Sequence, residues 1–202
     1  MDNSLPLLAG PRILLREPRA ADAEPLFLYT SDPEVTRYLA FDSPRSVAES
    51  LRFIERASVL RGCDAEYVFI IADRLTDEPL GITSLRHLDP VMGTAQIGTW
   101  VRRQSWGAGV NAEAKGLLLA YAFGPLGLHR IEARIAVENG RSRNAFAKLG
   151  GCLEGTLRQS FRKNGTVLDQ HLYAILAPEW RASCRSVPGA GPHAPEADGE
   201  HG

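Results

Sequence analysis

The chain has 202 residues, 44% of them hydrophobic, enough for one substantial core, so a single domain over residues 1–182 is the economical reading. A net charge of −1 without an aromatic-basic repeat argues against a nucleic-acid binder, and the longest apolar stretch, Gly116 to Leu128, is broken at Gly124-Pro125 and too short to cross a bilayer. The first residues lack a secretory pattern, and Cys63, Cys152 and Cys184 show neither zinc-like pairing nor a disulfide framework, so a cytoplasmic protein with no metal site and no membrane partner is expected.

Arg12–Arg16 alternates as a short strand. Ala20–Thr30 and Pro33–Leu39 read as two short helical pieces divided at Ser31-Asp32, where Asp32 offers a side-chain acceptor ahead of a first-turn proline. Ser43 or Ser46 opens a longer helix whose Val47, Leu51, Ile54 and Ser58 share a face. Strands at 66–73, 79–88 and 94–102 follow with short polar breaks, which predicts antiparallel hairpins. Leu117, Leu118 and Tyr121 then repeat at helical spacing until Gly124-Pro125 ends the helix. Arg130–Val137 is a strand, and Asn139 opens a helix with Ala145, Phe146 and Leu149 on one side, ended by Gly150. Two last strands, about 152–162 and 166–177, join through Lys163-Asn164-Gly165, whose Asn-Gly is a strong hairpin signal. From Ser183 the sequence is rich in Gly, Pro, Ala and Glu without periodicity, which predicts a disordered tail over 183–202.

The most informative segment is 96–123, a strand, a glycine turn at Gly107-Ala108-Gly109 and a helix. Amides freed at such a helix start, with the positive dipole end, face an anion. Charge agrees: residues 1–101 sum to −5, residues 102–163 to +7 and residues 164–202 to −3, so basic charge gathers around this turn and the Asn139–Ser142 region. Arg141, Arg143, Arg158, Arg162 and Lys163 equally suit an ordinary solvated surface. Gly107-x-Gly109-x-x-Ala112 also fits a dinucleotide fingerprint, but the antiparallel order upstream and the absence of an acidic strand end about 20 residues on disfavour it.

Read from Gln104, the turn Gln104-Ser105-Trp106-Gly107-Ala108-Gly109 has the pattern Gln/Arg-x-x-Gly-x-Gly/Ala. There follow Asn111-x-Glu113-Ala114-Lys115, Leu128-His129-Arg130-Ile131-Glu132, Asn139-x-x-Ser142, Lys148-Leu149-Gly150, Glu154-Gly155-x-Leu157-Arg158 and the closing Tyr173-Ala174-Ile175-Leu176-x-x-Glu179-Trp180. This series over roughly 95–180 resembles the GCN5-related N-acetyltransferases, in particular the branch that modifies ribosomal-protein amino termini. The resemblance is weaker before residue 90, where Ile13-x-Leu15-Arg16 and Asp32-Pro33-Glu34-Val35 look like the family's opening.

The resemblance implies an α+β fold whose mostly antiparallel sheet of about seven strands is flanked by helices and splays beside the cofactor helix. It implies acetyl-coenzyme A as cofactor and transfer of acetyl to a primary amine, a protein amino terminus or a small amine, by direct attack in a ternary complex. It places the pantetheine arm along Trp100, Val101 and Arg102 and the pyrophosphate on the amides from Ser105 through Trp106, Gly107, Ala108 and Gly109 to Val110. Gln104, Asn111, Asn139, Arg141, Ser142 and Lys148 complete the implied cofactor contacts. Gly98 marks either a bulge that helps the splay or a site of close packing.

In the family's chemistry Asn139 bonds the acetyl-bearing end and Ser142 protonates the departing sulfur, while as plain helix residues they would cap and continue the first turn. Tyr173 is the rival acid, although its place on a strand also suits packing. The carboxylates that relatives use as general base align with Gln96 and Phe161, neither of which can serve. Asp169, His171 and Tyr173 alternate on one strand face, so His171 backed by Asp169 is a candidate base, the alternative being a polar surface. Helix-dipole stabilisation is the simpler role for Glu113, and Gly151 leaves either room beneath the acetyl site or a bend. Relatives often pair, so a homodimer is an expectation. A noncatalytic acyl-coenzyme A module and a nicotinamide-dependent enzyme remain the other classes.

Overall fold

The computed structural model describes residues 4–185. Eight strands, β1 (Leu8–Ala9), β2 (Ile13–Arg16), β3 (Glu66–Asp73), β4 (Pro79–Asp89), β5 (Thr94–Val101), β6 (Arg130–Ala136), β7 (Cys152–Lys163) and β8 (Thr166–Leu176), stand in the order β1-β2-β3-β4-β5-β6-β8-β7. Adjacent strands are antiparallel except for β5 and β6. This is the mostly antiparallel sheet expected; the additional strand is β1, too short to leave a period of two in the sequence.

The helices are α1 (Ala23–Thr30), α2 (Pro33–Thr36), α3 (Val47–Gly62), α4 (Val110–Phe123), α5 (Gly140–Ala147) and α6 (Ala177–Arg185), with 3-10 turns at Ala20–Asp22 and Arg103–Ser105. Because β3 is sandwiched, it is apolar almost throughout. Its Val68, Ile70 and Ala72 pack with Ala23 and Leu26 of α1 and Ile54 and Ala57 of α3, whereas Phe69 and Ile71 join Ala114, Leu118 and Leu119 of α4. Phe146 of α5 and Tyr173 of β8 belong to the α4 side. Among the described residues, no helix is long and apolar enough to cross a membrane.

Capping explains several boundaries. Asp32 accepts a bond from Glu34 N at 2.9 Å, as its position before Pro33 predicts, but α2 stops at Thr36 rather than Leu39. Asn139 Oδ1 accepts from Ser142 N at 3.2 Å and starts α5. Asn164 and Gly165, at φ 48° and 78°, form the expected hairpin, with Lys163 opposite Thr166. Helix α6 carries no strong sequence signal; Pro178 sits in its first turn, and the Glu179 carboxylate accepts from Leu176 N at 3.0 Å. It reaches Arg185, past the expected start of the tail at Ser183, and residues 186–202 lie outside the described residues.

One feature of the sheet positions the site. Strands β5 and β6 pair only where Thr94, Ala95 and Gln96 meet Arg130, Ile131 and Glu132. Beyond that point Ile97–Val101 stays with β4 and Ala133–Ala136 with β8, so a wedge opens between them. Gly98 is not a bulge: it pairs in register with Ser84, and the irregularity lies between Arg86 and Asp89. A Cβ at Gly98 would sit 2.9 Å from Arg86 Nη2, so the glycine leaves room for the Arg86 guanidinium to lie over the strand.

Candidate active site

The chain leaving β5 turns through Arg103–Ser105 into Gly107 and Gly109, both left-handed at φ 79° and 80°, and Gly109 is the N-cap of α4. No side chain caps this helix. The Ser105 and Trp106 amides are already used, donating to Arg102 O and Arg103 O at 3.1 Å. This corrects the expected phosphate set, because the amides with no partner among the described residues run from Gly107 through Ala108, Gly109, Val110 and Asn111 to Ala112. Unpartnered amides at the positive end of a 14-residue helix fit a diphosphate.

The loop is braced from behind. Arg12, on the turn between β1 and β2, donates from Nη1 to Ala108 O at 2.5 Å and from Nε to Glu113 Oε2 at 2.8 Å. Glu113 stands in the first turn of α4, where its charge suits the helix dipole, and its Oε1 also accepts the Arg12 and Ile13 amides at 2.9 and 3.2 Å, so this carboxylate staples α4 to β2 as well. Trp106 donates its indole N–H to Val101 O at 2.8 Å, and the Arg141 guanidinium stacks 3.4 Å from the centre of its ring, joining the loop to the start of α5.

Other expected contacts divide. Trp100 lies on the wedge strand with its side chain on the α1–α3 face, and buried Val101 and Val110 can offer only backbone. The Arg102 side chain turns away, bonding Tyr29 Oη at 3.0 Å, Ser105 Oγ at 3.1 Å and the Glu78 carboxylate. Gln104 is in the exposed 3-10 turn, while Asn111 Oδ1 is buried without a partner. Asn139, Arg141 and Ser142 meet the wedge at the start of α5; Lys148 is exposed at the other end of that helix, so the structure does not bring it to the loop. Arg143 keeps a buried, unpartnered Nε, whereas Lys163 is committed to Phe41 O and Asp42.

Tyr173 is 7% exposed and packs edge-on against Phe146 and His171, with ring centres 6.1 Å apart in each pair, so packing accounts for it. The proposed backing of His171 by Asp169 is absent: His171 Nδ1 lies 3.1 Å from Thr156 Oγ1, and Asp169 accepts from Gln159 N at 2.7 Å at an irregularity in β7. Gly151 leaves no spare room, because a Cβ there would run into the Phe146 ring. Phe161 is buried and cannot act as a base.

Three carboxylates escaped the sequence reading. Gln96 faces Glu132 across the last pair before the wedge opens, and both alternate away from the core residues Ile97 and Ile131. Glu132 accepts from Arg130 Nε at 3.0 Å. Beside the wedge a cavity of about 170 Å³ is lined by Glu34, Arg37 and Tyr38 on one side and by Trp106, Glu138 and Asn139 on the other. Glu138 immediately precedes Asn139 in sequence; Glu34 arrives from α2, which only tertiary structure brings near.

The sequence profile of the Acetyltransferase (GNAT) domain matches residues 12–151. An uncharacterized N-acetyltransferase, p20, of Bacillus licheniformis is 32% identical over 169 residues, covering 84% of this chain and 95% of the relative. A ribosomal-protein-serine acetyltransferase of Escherichia coli (strain K12) is 31% identical over 98 residues, 48% of this chain and 55% of that protein. Among solved structures, a GCN5-related N-acetyltransferase from Brucella melitensis superposes with a TM-score of 0.78 at 26% identity, covering 88% of this chain and 81% of that one.

Proposed function

Because this chain belongs to the GCN5-related N-acetyltransferase family and is an acetyl-coenzyme A-dependent acetyltransferase, we propose that its acceptor is a cationic primary amine, a protein amino terminus or a small molecule, acetylated by direct attack in a ternary complex. The observation that carries this reading is the placing of Glu34 and Glu138 in one cavity with Asn139. An amine arrives protonated and must lose that proton before it can attack. Carboxylates on its approach take the proton through water, and the Arg37 and Arg141 guanidiniums in the same lining balance their charge and hold them ionised. Glu132, at the foot of the wedge, is the third group suited to that relay.

When bound, acetyl-coenzyme A supplies the thioester acyl group and the sulfur leaving group. The Gly107–Ala112 amides hold its diphosphate and the free backbone edge of β5 its arm. Asn139 uses Oδ1 as a cap, which leaves its Nδ2 to donate toward the acyl end, and the Ser142 hydroxyl is the donor for the sulfur. The unpaired, exposed Cys63 and Cys152 suit the cytoplasm, where we place the reaction.

The test is thiol release from acetyl-coenzyme A with peptides bearing free or blocked amino termini and with small primary amines, the products being weighed by mass spectrometry. Amine-dependent release with one added acetyl on the acceptor is expected, and Glu34→Gln and Glu138→Gln should raise the KM for the amine. An intact thioester across the whole panel, with the cofactor bound, would replace this reading with a noncatalytic acyl-coenzyme A module.

A further inference from the structure

Lys115, in the second turn of α4, is 4% exposed, yet it makes no ion pair and no hydrogen bond among the described residues. Its Nζ faces α5, where it lies 5.8 Å from the centre of the Phe146 ring. One helical turn earlier on the same face, Asn111 Oδ1 is fully enclosed without a partner, whereas Lys115 Nζ, though the residue is buried as a whole, keeps some accessible surface. A methionine or leucine would fill the same space without the cost of desolvating an ammonium, so packing does not account for lysine here. A cation–π contact with a phenylalanine ring at this distance only partly offsets that cost.

The two orphans are an N–H donor and an oxygen acceptor on one face of α4. Lys115 lies between the two helices that follow β5 and β6, the strands bounding the wedge, and Asn111 stands one turn nearer the glycine loop. The thioester-bearing arm of coenzyme A carries amides that offer the complementary carbonyl and N–H groups. We infer that Lys115 binds the arm of the cofactor, donating from Nζ to one of its carbonyl oxygens while Asn111 Oδ1 accepts from an arm N–H. This rests on the reading that acetyl-coenzyme A occupies the wedge.

Charged neighbours leave the assignment intact. Glu113, on the same helix, is committed to Arg12 and Ile13; Glu132 and Arg134 of β6 alternate to the opposite sheet face; Arg143 of α5 is a cation; and Tyr173 of β8 packs against Phe146. Burial alone lowers the Lys115 pKa to about 8. An acceptor brought to Nζ favours the ammonium, so binding draws a proton onto Lys115 near that pH.

The experiment is calorimetric titration of the whole protein at about pH 8.5 in two buffers of different ionisation enthalpy, with acetyl-coenzyme A and with 3′-phospho-ADP, which carries the diphosphate without the arm. The wild type should take up a proton with acetyl-coenzyme A. Lys115→Met should take up none on this account and bind acetyl-coenzyme A about 10-fold more weakly, with 3′-phospho-ADP bound as in the wild type. Its melting temperature should rise, which a structural lysine would not allow; if that variant fails to fold, Lys115→Gln carries the same comparison. Unchanged affinity and proton uptake would overturn the inference, as would an equal loss for both ligands, which would put Lys115 on the diphosphate. A wild type that binds neither ligand would count against the wedge as a cofactor site altogether.

Discussion

Gly107 and Gly109 share a left-handed backbone, but a methyl group added to each meets different surroundings. At Gly107 nothing lies within 4 Å of an ideal Cβ; at Gly109 the Cβ would sit 2.7 Å from Arg12 Nη2 and 3.2 Å from Nη1. Gly107→Ala therefore carries only the left-handed backbone penalty of about 1–2 kcal/mol. Gly109→Ala carries that penalty and also displaces Arg12 from Ala108 O and Glu113, worth about 1–2 kcal/mol more after discounting for an arginine side chain that is 58% exposed. Thermal unfolding should show a fall of about 2–8 °C for Gly107→Ala and roughly twice that for Gly109→Ala. Arg12→Ala added to Gly109→Ala should be less than additive by about 1 kcal/mol, since the clash and the lost bonds share one side chain. Equal losses for the two glycine variants, or strict additivity with Arg12→Ala, would refute the reasoning that Arg12 rather than the ligand space backs Gly109.

Ser142→Ala should lower kcat while leaving the acetyl-coenzyme A Kd unchanged, read by steady-state kinetics beside calorimetry, because the hydroxyl acts only as the sulfur leaves. Asn139→Ala should lose the α5 cap, about 1 kcal/mol by denaturant titration, as well as activity. Asp22→Ala should cost about 1.5–3 kcal/mol, since it removes the bonds of 2.8 and 2.9 Å that Asp22 makes to the buried Arg16 guanidinium and leaves Asp77, 2.6 Å from Nε, as its remaining carboxylate partner. Lys115, with a folded pKa near 8 against an ordinary 10.5, binds fewer protons folded than unfolded between those values. Its contribution to stability should therefore rise as pH climbs through that window, by up to about 3 kcal/mol, and the difference between wild type and Lys115→Met across pH isolates it.

Long elements with strong punctuation were legible in the sequence. The Asn164-Gly165 hairpin, the Asp32-Pro33 helix start and the strand–glycine–helix unit around Gly107 depend on local backbone preferences, and each stands where it was expected. Short or weakly periodic pieces were not legible: β1 has two residues, and α6 begins at the very end of the expected last strand, with Pro178 just beyond it. The functional loop was found by its glycines, but which amides it leaves free depends on a 3-10 turn that consumes those of Ser105 and Trp106. The carboxylates were harder. Asp169 and His171 share a strand and suggested a pair, yet each is bonded to β7 instead, Asp169 accepting from Gln159 N and His171 lying against Thr156 Oγ1. Glu34 and Glu138 are far apart in sequence and meet only because α2 and the turn before α5 border one cavity. Lys115 looked like one residue of a helical motif; its burial without a partner exists only in three dimensions.

The central claim is that the Gly107–Ala112 amides and the open edge of β5 receive acetyl-coenzyme A. Amide hydrogen exchange, resolved by residue with and without acetyl-coenzyme A and with NAD as comparison, tests it most directly. The account predicts fast exchange at Gly107–Ala112 in the free protein and strong protection there and along Ile97–Val101 with acetyl-coenzyme A, but none with NAD. Protection elsewhere, or protection of the same amides by NAD alone, would contradict it.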